Sequence, residues 1–193
     1  MGRLVYASIG SLDGFIADAE GEFDWSAPDE EVHAYLNERD SAVALELYGR
    51  RLYDVMKVWQ TYGTAADASD VERVYGEQWR ARPKRVFSTT LSAVDTSQTT
   101  LHREFDPVEV RRLVDETDGD VGIGGPDLAA QALRAGIVDR VEYYAGPVII
   151  GGGTPWLPRG LRLDLRLVEH HRFAGGVVHL AYSIGRPESA RGA

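Results

Sequence analysis

The sequence predicts an α/β protein: one domain on a mixed, mostly parallel sheet flanked by helices, closed by an antiparallel hairpin. Three observations carry that prediction. Strand-like runs rich in β-branched and aromatic residues alternate with helix-period segments as far as about residue 150. Glycines mark the junctions after three of those runs, at Gly49, at Gly124-Gly125 and at Gly151-Gly152-Gly153. The stretches Leu161 to Phe173 and Val177 to Ile184, joined through Gly175-Gly176, read as a long hairpin. At 193 residues the chain is most economically one domain, expected over 1–186, with a flexible Pro, Ser, Ala and Gly tail over 187–193.

The elements follow in order. Leu4 to Ile9 is a strand pattern, and Ser11-Leu12-Asp13-Gly14 turns the chain before Phe15-Ile16-Ala17. Pro28-Asp29-Glu30-Glu31 is an acidic first helical turn, and the helix runs to about Asp40 with Val32, Tyr35, Leu36 and Arg39 on its buried face. Val43 to Tyr48 is a strand that Gly49-Arg50-Arg51 turns into a helix over Leu52 to Trp59. Residues 60–70 are small and polar and read as loop, and Val71, Val74, Tyr75 and Trp79 give a helix ending before Pro83. Arg85 to Ser88 and Thr99 to His102 are short strands, and Pro107 to Thr117 is a helix with Val110, Leu113 and Val114 inward.

The segment from 120 to 156 holds the most chemistry. Val121 and Ile123 form a brief strand, and Gly124-Gly125 removes side chains where the chain turns, so that phosphate oxygens could approach backbone N–H groups. Pro126 and Asp127 suit a helix start, and Leu128, Ala132, Leu133 and Ile137 recur at helical spacing. A strand is expected over Tyr143 to Ile150, followed by the three glycines, which are costly in entropy unless backbone must come close to something. An ordinary strand-to-helix turn remains the alternative at Gly124-Gly125. The spacing is not that of the common dinucleotide fingerprint, because Asp127 stands where its third glycine would be.

Composition excludes several classes. No cysteine means no disulfide, thiolate zinc site, iron–sulfur cluster or cysteine nucleophile, and the five histidines show no metal-ligand spacing. A net charge of −9 opposes nucleic-acid binding. No apolar run reaches the length of a membrane span, and residues 1–20 lack a signal-peptide pattern, so the sequence predicts a cytoplasmic protein without a membrane partner.

Four segments in order, Ser11-Leu12-Asp13-Gly14-Phe15-Ile16-Ala17, Gly49-Arg50-Arg51-Leu52-Tyr53, Gly124-Gly125 and Pro147-Val148-Ile149-Ile150-Gly151-Gly152-Gly153-Thr154-Pro155, together resemble the dihydrofolate reductase-like superfamily. The likeness is greatest to its riboflavin-biosynthesis reductase branch, the RibD C-terminal domain, and runs from about Arg3 to Ile184. The resemblance implies a dihydrofolate reductase-like fold, a homodimer, and an NADPH-dependent oxidoreductase that delivers a hydride to a C=N or C=O bond of a small heterocycle or sugar. It implies that Gly124 and Gly125, with Pro126 opening the helix, lie against the pyrophosphate. Arg50 and Arg51, after Gly49, would approach the adenosine side, Ser88 and Thr89 would neighbour the 2′-phosphate, and Gly152 and Gly153 would lie in a second cofactor loop. Two positions depart from the family pattern: Leu52 stands where a threonine is frequent, and Thr89 where an arginine is frequent.

At the substrate end, Trp25-Ser26-Ala27-Pro28-Asp29-Glu30 resembles the motif that places the substrate-facing carboxylate of dihydrofolate reductases, which makes Glu30 the candidate catalytic carboxylate. Asp13 is a second candidate. Helix-dipole and turn roles stay open for Glu30 and Asp13, as a solvated helix start does for the arginines. The resemblance also brings Tyr6, Trp25 and Trp156 around the substrate, a flat small molecule. No zinc deaminase module accompanies the reductase-like segment. Two alternatives stand beside a pteridine- or pyrimidine-directed reductase: a nucleotide-binding sensor without turnover, and a classical dihydrofolate reductase.

Overall fold

A computed structural model describes residues 2–185; the tail expected over residues 187–193 lies outside them. An eight-stranded sheet has the order β5-β4-β3-β6-β1-β7-β10-β9. Its strands are β1 (Leu4–Ser11), β3 (Val43–Gly49), β4 (Lys84–Phe87), β5 (Thr99–His102), β6 (Asp120–Gly124), β7 (Arg140–Gly146), β9 (Leu165–Arg172) and β10 (Val178–Ile184). Pairing is parallel from β5 through to β7, and β10 is antiparallel to both its neighbours. The mostly parallel sheet with a terminal hairpin is therefore what the alternation of segments predicts.

The helices are α1 (Glu30–Asp40), α2 (Arg50–Met56), α3 (Asp70–Ala81), α4 (Pro107–Glu116) and α5 (Pro126–Arg134). Strand alternation assigns them to faces. Leu4, Tyr6, Leu47, Val121 and Ile123 pack with Val110 and Val114 of α4 and with Leu128, Ala129, Ala132 and Leu133 of α5. On the other face Tyr48 and Val86 pack with Tyr53 of α2 and Trp79 of α3, while Ile9 and Tyr144 pack with Val32, Tyr35 and Leu36 of α1. Trp79 is fully buried, with the Lys84 ammonium 4.2 Å from its ring centroid. Burial of such a ring and the Ser69–Glu72 capping box anchor α3, the cap by about 1 kcal/mol.

Some details differ from the sequence-based expectation: the strand expected from Tyr143 begins at Arg140, and the helix expected over Leu52 to Trp59 is α2 followed by a 3-10 turn over Lys57–Gln60. The strand expected over Tyr143 to Ile150 ends at Gly146, because Pro147 has no N–H for the ladder and the next carbonyl, of Val148, accepts from Leu12 N. Residues 161–164 stay outside the hairpin, and Leu161 and Leu163 pack on the main core instead. A second sheet, absent from the expectation, pairs β2 (Phe15–Ala17) with β8 (Thr154–Pro155). Gly153 permits it: a Cβ there would run into the Ala17 carbonyl and Asp18, and its φ of +126° suits glycine. The glycine run thus lets two parts of the chain meet closely at Gly153, while Gly152 borders open space.

Candidate functional site

β1 lies at the middle of the sheet, and its residues at 5, 7 and 9 face α1, α2 and α3. Ala7 is nevertheless exposed. A small, solvent-reached side chain on a central strand means that the helices part above it, α1 on one side and α2 on the other. Beside Ala7, β6 carries Gly122 and Gly124, so the floor of this cleft has almost no side chains of its own. The walls lean in over it. Leu52 of α2 fills the place of a Gly124 Cβ, and the Glu46 carboxyl of β3 fills the place of a Gly122 Cβ.

The cleft opens at the carboxyl ends of β3 and β6, where two helices begin. α1, α3 and α4 are capped by the side chains of Asp29, Ser69 and Asp106. α5 starts on Pro126 after Gly125, whose φ is +91°, and no side chain caps it; α2 starts after Gly49, also without a side-chain cap. The Gly49 backbone lies against Gly125, so the two helix starts share one end of the cleft. The N–H groups in the first turn of α5 remain available to an anion.

Charged groups surround that end. Arg50 donates from Nη1 to Thr90 Oγ1 at 2.7 Å and lies 3.7 Å from Asp54, tying α2 to the loop after β4. Arg51 and Asp127 form a 3.4 Å ion pair across the starts of α2 and α5, both side chains almost fully exposed. Ser88 is buried, and its hydroxyl accepts from the N–H groups of Thr90 and Leu91, which shapes the loop; Thr89 and Thr90 face outward. Arg103 fastens the same loop through the carbonyls of Ser88, Leu91 and Ser92.

The aromatic candidates separate. Tyr6 is buried on the α4 and α5 face, donates its hydroxyl to the Trp156 carbonyl at 2.7 Å, and lies under the Trp156 indole. Trp156 also stacks on Tyr143, with centroids 4.3 Å apart, and the Tyr143 hydroxyl donates to Ser11 O. Burial raises both phenols, Tyr143 to about 12. Trp156 thus covers Tyr6. Trp25 stands apart on a short 3-10 turn (Asp24–Ser26), half-buried, its indole N–H donating to Glu22 O.

Of the carboxylates, Asp13 accepts from the N–H groups of Ile150 and Gly151, clipping the glycine loop to the turn after β1. Hydrogen bonds from Ser11 and from that backbone hold its carboxyl below the usual range. Glu30 is exposed in the first turn of α1, one turn before His33. His33 packs between Trp59 and Tyr75 on the α3 side, and burial lowers its pKa.

Two carboxylates that the sequence reading passed over flank the floor. Glu142 of β7 is in register with Ala7, on the same face. It is held by His179 Nε2 at 2.9 Å, Arg140 Nε at 2.7 Å and Arg39 Nη2 at 3.3 Å. Burial alone would raise its pKa, but these partners lower it. On the other side is Glu46, whose Oε1 accepts from Arg82 Nη1 at 3.2 Å. Its signal in the sequence was a charged residue inside the otherwise apolar strand VALELYG. Away from the cleft, an open depression of about 790 Å³ runs along β4 and β5, lined by Arg85, Thr100 and His102. Among the described residues no cluster of side chains could hold a metal ion, and no helix is long and apolar enough to cross a membrane.

A parallel sheet with a central cleft at the strand ends, α1 on one wall, and two glycine-led helices at its mouth define the dihydrofolate reductase-like fold. The solved dihydrofolate reductase of Enterococcus faecalis, complexed with NADP(H), superimposes with a TM-score of 0.60 at 12% identity, covering 96% of this chain and 98% of that one. A pyrimidine reductase-like protein of Corynebacterium diphtheriae gives a TM-score of 0.65 at 15% identity, covering 96% and 93%. Within that fold, the chain belongs to the RibD C-terminal domain family, whose model matches residues 3–179. The uncharacterized protein YyaP of Bacillus subtilis is 29% identical over 93% of this chain and 94% of its own length.

Proposed function

We propose that the protein is an NADPH-dependent reductase that delivers a hydride to a C=N or C=O bond of a small, flat heterocycle of the pteridine or pyrimidine kind. The observation that carries this reading is the exposed Ala7 on the central strand, a floor on which a flat ring can lie beside the uncapped start of α5. Family membership and the reductases among its structural relatives support it.

The residues at the cleft mouth fit such a cofactor. Gly125, Pro126 and the first turn of α5 would receive the pyrophosphate, with Gly49 alongside, and Arg50 with Thr89 and Thr90 would receive the 2′-phosphate. The bound cofactor supplies the hydride. The protein's own residues position the two rings and exclude water. Trp25, half-buried with its indole N–H held by the Glu22 carbonyl, would stack the substrate.

Leu52 over Gly124 and the negative Asp127 at the start of α5 favour a second reading, a nucleotide-binding sensor without turnover. NADPH oxidation against a panel of pterins and pyrimidines, paired with NADPH fluorescence titration, tests both. Binding with turnover supports the reductase, binding without turnover with any compound supports the sensor, and absence of binding removes both.

We also propose a homodimer. β9 is an edge strand, and Leu165, Leu167 and Val168 on it are each more than two-fifths exposed, an edge that a second copy can cover.

A further inference from the structure

We propose that Glu46 is the acid of this cleft, the carboxyl that hydrogen-bonds a substrate ring nitrogen and gives it the proton that accompanies the hydride. This rests on the reductase reading. The geometry starts from the floor. β3 is two strands from β1, with β6 between them. Because β6 has only Gly122 at the position level with Glu46 and Val5, the Glu46 side chain lies across it toward β1. The neighbouring residue of β1 on that face is Ala7, exposed, and Gly122 itself is partly open. Oε1 is taken by Arg82. Oε2 accepts no hydrogen bond among the described residues, and it is not one of the fully enclosed polar atoms left without a partner. The side chain keeps 13% of its surface, so this oxygen is the one presented to the cleft.

Burial and three charged neighbours set the protonation of Glu46. Arg82, ahead of β4, and Lys84, on β4, favour the carboxylate; Asp40 at the end of α1 opposes it. Tyr48 on β3 and Tyr75 on α3 surround it as neutral phenols whose own ionisation burial suppresses. Burial dominates and brings the carboxyl up to about 7. Glu142, across Ala7, is driven the other way by Arg39, Arg140 and His179. Two carboxylates beside one floor, pushed apart in pKa, divide into a proton-bearing group and a permanently ionised one. Reduction of a C=N bond forms C–H from the hydride and N–H from the Glu46 proton while the π bond breaks. The hydride would be supplied by the bound cofactor, oxidised in exchange, and the Glu46 carboxylate regains its proton from solvent.

The test uses the free protein first. Infrared difference spectra between about pH 5.5 and pH 8.5 are expected to show a protonated carboxyl band that titrates near neutrality and is absent in Glu46→Gln. The second measurement is calorimetric titration of 2,4-diaminopyrimidine, a flat probe whose amino N–H can donate to the Oε2 that faces the cleft. Its affinity is expected to fall about tenfold or more in Glu46→Gln, the value of a charge-assisted hydrogen bond. Glu46→Asp, which withdraws the carboxyl by one methylene and serves if the glutamine variant does not fold, is expected to keep a titrating band and lose the affinity. No band near neutrality in the wild type, or probe affinity within twofold of wild type in either folded variant, overturns the proposal. Failure of NADPH oxidation with every compound, with the band and the probe binding intact, removes the reductase reading and the hydride-linked step but leaves Glu46 as a ligand-facing acid.

Discussion

Leu52 occupies the volume that a side chain on Gly124 would need. Gly124→Ala must therefore displace the Leu52 δ-methyl, by a rotamer change or a shift of α2, and overpacking of this kind costs about 1–3 kcal/mol. Gly124→Ala with Leu52→Ala is expected to recover most of that loss relative to Leu52→Ala alone. Urea denaturation of the four proteins checks it; additive losses would mean the two sites do not touch.

Arg50 reaches Thr90 in the loop where the reading places the 2′-phosphate. Arg50→Ala is expected to weaken NADPH by about 1.5–3 kcal/mol and NADH by much less. Fluorescence titrations of both cofactors decide the matter, and equal losses would move the 2′-phosphate elsewhere.

The two tryptophans that the resemblance assigns to the substrate are expected to behave differently. Trp156 covers Tyr6 and Tyr143, so Trp156→Ala is expected to cost about 3 kcal/mol in stability. Trp25 is half-buried on a short 3-10 turn outside the core clusters, and Trp25→Ala is expected to melt within a few degrees of wild type while weakening flat heterocycles. Thermal melts and ligand titrations on both variants separate stacking on substrate from packing in the core.

Glu46 also makes stability depend on pH. Its pKa is raised in the folded state, to about 7, so the native protein holds a proton that the unfolded chain releases above the ordinary glutamate range. Stability therefore falls as pH rises from about 4.5 to about 7, and then levels. Glu46→Gln removes the titration, so its stability relative to wild type should improve between pH 5 and pH 8. Melting temperatures across that range would show an unchanged difference if the carboxyl is ionised throughout.

Light scattering is expected to give twice the 21.3 kDa chain mass, and Leu167→Arg, which puts a charge on the exposed β9 edge, should return a monomer. A stable single-chain mass for the wild type would refute the pairing.

Much of the fold was legible because its signals are local. Alternation of strand and helix periods, the acidic start of α1 and the glycine after β3 each act over a few residues, and the structure places those elements where the pattern does. The β2 and β8 pairing was not legible, since it joins residues 15–17 to residues 154–155 and depends on Gly153 fitting against Ala17. The cleft was half legible. The glycines at 49 and at 124–125 announce the ends of β3 and β6, but Ala7 acquires meaning only when β6 and β7 come to lie beside it. The family resemblance groups Tyr6 with Trp25 and Trp156 around the substrate. Side-chain alternation instead sends it to the face opposite Ala7, where it is core.

The position of β1 has a consequence for synthesis of the protein. Its two partners are β6 and β7, whose residues begin at 120 and 140, so β1 leaves the ribosome long before either of its edges can be paired. Contacts of such long separation form late and slowly. A nascent chain stopped before Gly124 has Ala7 but nothing to lay beside it, and exposes an unpaired Leu4–Ser11 strand to other chains. Chaperone dependence and aggregation should therefore concentrate in the interval between emergence of β3 and emergence of β6.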